Sequence, residues 1–269
     1  MYKRLPYVSG YFYPDGRTEL TSFISECLQR AEKPPIRGKI IGAIVPHAGY
    51  VYSAYTACHA YRIMPFRGRK VLLIGPNHAS FPPYAAIHPP GRWITPLGEA
   101  SVDANGVELF SSKSADIVVD PEAHAREHSL EVQLPFIQYI SGNDFSFVPI
   151  VLGNQNKEVI MDLVDSLSQL SKDYIIIASS DMNHYESEKV TLRKDQNIID
   201  AVLSLNVDRL YEAIRSNRAT PCGYGAIAFL MEITKRSGGE ILLLDHTTSA
   251  AASGDYNRVV GYASFVAYR

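Results

Sequence analysis

Residues 40 to 50 read IIGAIVPHAGY, an apolar run from Ile40 to Val45 that is broken abruptly by Pro46, His47 and Gly49. A short continuous apolar run bounded by turn residues reads as a strand buried on both faces, the pattern of a parallel sheet covered by helices. The same pattern returns at KVLLIG (70–75), FSFVPIVL (145–152), YIIIAS (174–179), EILLLD (240–245) and RVVGYASFVAY (258–268). Between most of these runs apolar residues recur at intervals of three and four, most clearly in REHSLEVQLPFIQYI, KEVIMDLVDSLSQLSK, SEKVTLRKDQNIIDAVLSL and GYGAIAFLMEITKRS. Strands alternating with helices predict one α/β domain over residues 1–269, a three-layer sheet with helices on both faces. The last run alternates more and follows its neighbour without a helix, so an antiparallel member is expected. Residues 79–105, rich in Pro and Gly, are expected to form loops and a hairpin.

Composition narrows the function. The chain has 269 residues, 46% hydrophobic, with a formal net charge of −2, and a pI near 6.4. Without a basic cluster it has no electrostatic footprint for nucleic acid or an anionic membrane surface, so a small molecule, peptide or protein is the expected partner. No apolar stretch approaches the roughly 18 residues of a membrane span, and MYKRLPYVSGYFYPDG lacks the apolar core of a signal peptide, so a cytoplasmic location is expected. Cys27, Cys58 and Cys222 are too few and scattered for a disulfide framework. Cys27 and Cys58 fall in helix-like stretches and read as small core residues.

Strand endings carry the chemistry, because ligands of open α/β sheets gather beyond the carboxyl ends of strands. IIGAIV ends in Pro46-His47, KVLLIG in Pro76-Asn77-His78, and YIIIASS in Asp181-Met182-Asn183-His184. Three strands thus deliver a histidine each to what reads as one edge. In Thr220-Pro221-Cys222-Gly223, Thr220 reads as a helix N-cap and Pro221 as the first helical position, placing Cys222 in the first turn, where the helix dipole favours a thiolate. An unreactive buried cysteine is the alternative. If Cys222 faces His47 and His78, two imidazoles and a sulfur form a three-ligand set suited to iron, copper or zinc and unsuited to magnesium or calcium.

The blocks VPHAGYVYSA, GPNH, EHSLEVQLPF, SSDMNHY, PCGYGAI and SGDYNRVVGYAS, in that order, resemble the Memo family over most of the chain. The resemblance implies a fold similar to class III extradiol dioxygenases, non-haem iron enzymes whose metal is held by two histidines and a glutamate. It implies His47, His78 and Cys222 as metal ligands, His184 and Asp181 as a pair beside the metal, and His128 as a further pocket residue. Cysteine in place of glutamate is a departure, since a thiolate beside dioxygen is open to oxidation, and catechol opening does not simply carry over. The expected function is therefore an iron- or copper-dependent oxidoreductase of unknown substrate, with zinc as another metal, His184 as acid or base and Asp181 setting its tautomer. The alternative role for Asp181 is a carboxylate that satisfies loop N–H groups or caps the next helix. The resemblance also implies AMMECR-type and radical S-adenosylmethionine proteins as pathway partners. A non-enzymatic adaptor that binds peptides is the competing class, though this chain lacks the tight arginine cluster that phosphotyrosine capture uses.

Three local patterns compete. His124-Ala125-Arg126-Glu127-His128 matches H-x-x-E-H, a zinc peptidase pattern that needs His124 and His128 on one face of a helix beginning near Glu122. Ser179, Ser180, Asp181 and His184 hold the letters of a hydrolase triad but lie in one segment, without a G-x-S-x-G elbow. Asp245-His246 reads as a strand end feeding the site, and Asp255 as a turn former or an outer carboxylate. No Walker loop or dinucleotide fingerprint is present.

Overall fold

The computed structural model describes residues 2–80, 82 and 84–269; Phe81 and Pro83, in the Pro-rich stretch expected to loop, lie outside them. In order, the chain forms β1 (Tyr2–Arg4), α1 (Arg17–Arg30), β2 (Ile40–Val45), α2 (Tyr50–Tyr61), β3 (Arg69–Pro76), β4 (Ala85–Ile87), β5 (Gly91–Thr95), β6 (Gly98–Val102), α3 (Ala104–Lys113) and β7 (Ile117–Val119). There follow α4 (Glu122–Ala125), α5 (Leu134–Ser141), β8 (Phe145–Leu152), α6 (Lys157–Leu167), β9 (Tyr174–Ser179), β10 (His184–Glu186), α7 (Glu188–Leu203) and α8 (Val207–Asn217). The chain closes with α9 (Tyr224–Arg236), β11 (Glu240–Thr248), α10 (Ala250–Ser253) and β12 (Val259–Tyr268).

Each continuous apolar run becomes a strand. The sheet runs β1-β5-β6-β8-β3-β9-β2-β12-β10, with β11 beside β12, and β4 pairing with β7 and β8. At its centre β8, β3, β9 and β2 are parallel. β2 meets β12 in antiparallel register, Phe265 opposite Ile44, and β12 meets β11 the same way, as the alternating final run predicts. The hairpin expected in 79–105 is β5 with β6. Burial on both faces explains the lack of alternation: Val71, Leu72, Leu73, Ile175, Ile176, Ile177 and Val148 are all essentially sealed from solvent. One helical layer is built on α2, against which α1 packs; the other on α9, against which α6 and α8 pack. At Gly42 in β2 a Cβ would fall 2.1 Å from the Ile176 carbonyl oxygen, so this central pairing requires glycine.

One expected helix begins later than the periodicity suggests. The run from Arg126 is not helical at its start: α4 stops at Ala125, a short 3-10 turn covers Glu131–Gln133, and α5 begins at Leu134. The reason is Glu127, whose carboxylate leaves the helix path to accept the backbone N–H of Ser129 at 2.7 Å.

The amino-terminal segment is fastened by a buried ion pair. Arg4 donates to Glu131 at 2.8 Å, to the His124 carbonyl at 2.8 Å and to the Glu127 carbonyl at 2.7 Å. Its guanidinium lies 4.2 Å from the Trp93 ring centroid. Glu131 in turn accepts from Tyr7 N (2.8 Å), Val8 N (3.0 Å) and the Tyr13 hydroxyl (2.8 Å). Every lone pair of the carboxylate is thus used, the condition under which a buried ion pair is tolerated. Among the described residues no helix is long and apolar enough to cross a membrane.

Candidate metal centre

β3, β9 and β2 are neighbours in the sheet, so the segments after them emerge side by side. His78 follows β3, Asp181 and His184 follow β9, and His47 follows β2; all four line one open cleft of roughly 490 Å³. His128, Cys222, Phe12 and Tyr185 line it too. The three strand-end histidines expected from the sequence therefore converge.

His47 is the hub. Its Nε2 lies 3.0 Å from Cys222 Sγ, and its ring centroid is 5.2 Å from that of His78 and 5.5 Å from that of His128. Ring nitrogens of His47, His78 and His128 form one group of donors within 4.8 Å of one another, and His47, Asp181 and Cys222 form a second. His78 and Cys222 thus each meet His47, in different groups.

The histidines after β3 and β9 are held by hydrogen bonds to residues from other segments. Glu127, 1% exposed, accepts from His78 Nδ1 at 3.0 Å through Oε1 and from the His78 backbone N–H through Oε2. A carboxylate can only accept, so Nδ1 carries a proton, and in the neutral ring His78 Nε2 is left bare. Burial alone would raise the Glu127 pKa, but the His78 bond and the charges of His78 and His128 pull it down to about 2. Burial likewise lowers His78, and the Glu127 bond and charge outweigh it, for a net rise. His184 is held differently: its N–H donates to Thr220 Oγ1 and its Nδ1 to the Thr220 carbonyl, both at 2.9 Å. It is therefore Thr220, not Asp181, that orients His184. Asp181 Oδ1 instead accepts from the backbone N–H groups of His47 (2.7 Å) and Ala48 (3.3 Å), the loop-satisfying role.

Cys222 departs from expectation. Helix α9 starts at Tyr224 with Gly223 as its N-cap, so Cys222 precedes the helix and Thr220 is not its cap. The cause is a close approach: a Cβ on Gly223 would lie 2.2 Å from the Ser179 carbonyl oxygen. Gly223 N donates to Ser180 Oγ at 2.9 Å, which presses Cys222 against the end of β9. Asp181 N donates to Cys222 Sγ at 3.2 Å. The expected helix-dipole support for a thiolate is outweighed: burial, then the Asp181 carboxylate, push the thiol well above its ordinary pKa. Burial, reinforced by the other three cleft histidines, holds His47 well below its own. A metal cation reverses this balance, because a coordinated thiol loses its proton outright. The donor types fit a transition metal, His47 lying within reach of the His78 ring in one group and of the Cys222 sulfur in the other.

The peptidase pattern does not assemble. His124 is fully buried, with Nε2 3.0 Å from the Ala86 carbonyl and its ring against His88 and Trp93, while His128 faces the cleft. α4 ends between them, and Glu127 is committed to His78. Asp245 and His246 lie within β11, bonded to Thr56 (2.6 Å) and Asp195 (3.0 Å), rather than at the cleft. Asp255 is a turn former whose Oδ1 accepts Asn257 N at 2.9 Å. Two cleft residues, Phe12 and Tyr185, are not among the site residues expected from the sequence, although Tyr185 closes the block SSDMNHY. Phe12 arrives on the amino-terminal segment, its ring 4.8 Å from His128. Tyr185 adopts a left-handed backbone (φ 61°) and takes Arg258 over its ring at 5.0 Å.

A model of the family described as Memo-like protein matches residues 4–266 of this chain. A MEMO1 family protein of Thermoplasma acidophilum is 44% identical over 265 residues, 98% of each chain. One of Thermoplasma volcanium is 46% identical over 267 residues, covering 99% of this chain and 98% of its own. One of Nitrosopumilus maritimus is 38% identical over 271 residues, covering 97% of this chain and 98% of its own.

Proposed function

The chain belongs to the Memo-like protein family, which has a class III extradiol dioxygenase-like fold, and from that premise we propose that it holds one transition metal on His47, His78 and Cys222. The observation that carries this reading is the 3.0 Å approach of His47 Nε2 to Cys222 Sγ at a strand edge where His78 also presents a bare Nε2. Three protein ligands leave a coordination position facing the cleft, where a small-molecule substrate would bind. Iron or copper suits the set best, zinc being the third fit, and a redox metal would supply electron transfer to a bound substrate.

The chain's own residues would do the rest. His184, held by Thr220 with its Nδ1 protonated, keeps Nε2 free to take or return a proton in the cleft. Phe12 and Tyr185 line the cleft and offer aromatic faces against which a bound ligand would pack. Because a thiol replaces the family fold's carboxylate ligand, the reading is of an oxidoreductase other than a ring-opening dioxygenase.

Elemental analysis of protein purified anaerobically, beside His47→Ala and Cys222→Ala, tests this. About one iron or copper per chain, lost in both variants, is expected. Metal-free native protein, or metal retained in both variants, would overturn the assignment. Peptide affinity that survives Cys222→Ala would instead favour an adaptor.

A further inference from the structure

We propose that Ser179, aimed by Gln133, fixes the tautomer of His47, so that Nδ1 carries the proton and Nε2 keeps a free lone pair toward Cys222 and the cleft. The groups that share these protons are sealed from solvent: Ser179, Gln133 and Tyr61 are 0% exposed and His47 is 2% exposed. Buried polar groups are hydrogen-bonded, so each proton must be placed.

Gln133 Nε2 lies 3.0 Å from the Pro46 carbonyl, which can only accept, so the NH2 end of the amide faces that way. The Tyr61 hydroxyl then donates to Gln133 Oε1 at 2.8 Å. The same NH2 donates to Ser179 Oγ at 2.8 Å and fills one lone pair. Ser179 has a single hydroxyl proton, and the Ser129 carbonyl, 2.7 Å away, takes it. One lone pair of Ser179 Oγ remains, and it faces His47 Nδ1 at 2.9 Å. Only an N–H at Nδ1 completes the set.

The reverse tautomer sets Nδ1 and Oγ lone pair to lone pair, or turns the Ser179 proton away from the Ser129 carbonyl and leaves that acceptor only the long 3.5 Å contact from Gln133 Nε2. Either arrangement disfavours it by about tenfold or more. The strand edge thus obtains from a serine at His47 what it obtains from Glu127 at His78 and from the Thr220 carbonyl at His184: a protonated Nδ1 and a bare Nε2. Ser179 and Gln133 are positioning residues, and the consequence for metal affinity rests on the reading of His47 as a ligand.

The test is long-range 1H–15N correlation of the metal-free protein labelled with 15N-histidine, with the His47 signals assigned by their loss in His47→Ala. His47 as the Nδ1–H tautomer is expected in the wild type. In Ser179→Ala the Nε2–H form should appear, and affinity for Zn²⁺ should fall about 10- to 100-fold. Wild-type His47 found as Nε2–H, or as a comparable mixture, overturns the proposal without any variant having to fold. An unchanged tautomer in folded Ser179→Ala overturns it as well. Wild-type protein that shows the Nδ1–H pattern but takes up no Zn²⁺ would sink the metal reading and leave the tautomer assignment standing.

Discussion

Arg4→Met isolates the buried ion pair that ties the amino-terminal segment to the residues behind the cleft. The substitution keeps much of the apolar stem and removes the guanidinium, leaving the Glu127 carbonyl without its side-chain donor, the His124 carbonyl with backbone N–H donors alone, and Glu131 without its cation. Arg4 and Glu131 side chains are 4% and 0% exposed, so water cannot step in. Removing one partner of such a pair costs about 3–5 kcal/mol. For a chain of this size, at about 2–4 °C per kcal/mol, that is a drop of about 6–20 °C in Tm. Thermal unfolding followed by circular dichroism would measure it, with urea titration at fixed temperature as the second reading. Replacing both charges, in Arg4→Met/Glu131→Leu, should bring no recovery, because Tyr7 N, Val8 N and the Tyr13 hydroxyl also depend on Glu131. A loss below about 1 kcal/mol in the single variant would mean that the pair is hydrated in solution, and the reasoning would be refuted.

Acid should act through His88, whose pKa burial holds down at about 4. A histidine depressed in the folded state stabilises the fold above its unfolded value of 6.5, and that contribution is lost as pH falls from 6.5 through 4, about 3 kcal/mol in all. The difference between wild type and His88→Gln over that window would measure it, and parallel curves would contradict it. Glu127→Gln should leave the fold intact and weaken Zn²⁺ binding about 10- to 100-fold in a metal-buffered titration, since it loosens the orientation of His78; unchanged affinity would remove Glu127 from the site. His124→Gln should keep the metal content of the wild type, where a zinc peptidase would lose it.

The central strands were legible because burial on both faces writes itself as unbroken apolar runs, and the convergence of His47, His78 and His184 followed from where those runs stop. What failed was local geometry imposed from a distance. Thr220-Pro221 has the letters of a helix start, yet the backbone at Gly223 is pulled against β9, and the helix begins two residues after Cys222. The His124–His128 pattern fits a helix that Glu127 ends by turning to His78 and Ser129. Phe12 could not be seen at all, since nothing near it in sequence shows that the Arg4–Glu131 pair carries its segment to the cleft.

The proposed ligands His47 and His78 hang from the ends of β2 and β3, the parallel strands on either side of β9, and Cys222 from the segment before α9, and each is braced by protein groups. This is unlike a zinc finger, whose chain is unfolded until the metal arrives. Here the scaffold should outlast its cargo: stripped with a chelator, the protein should keep its backbone and near-native melting, then reload at the rate of ligand exchange. The same frame could therefore be filled in turn with different ions and compared in one crystal form.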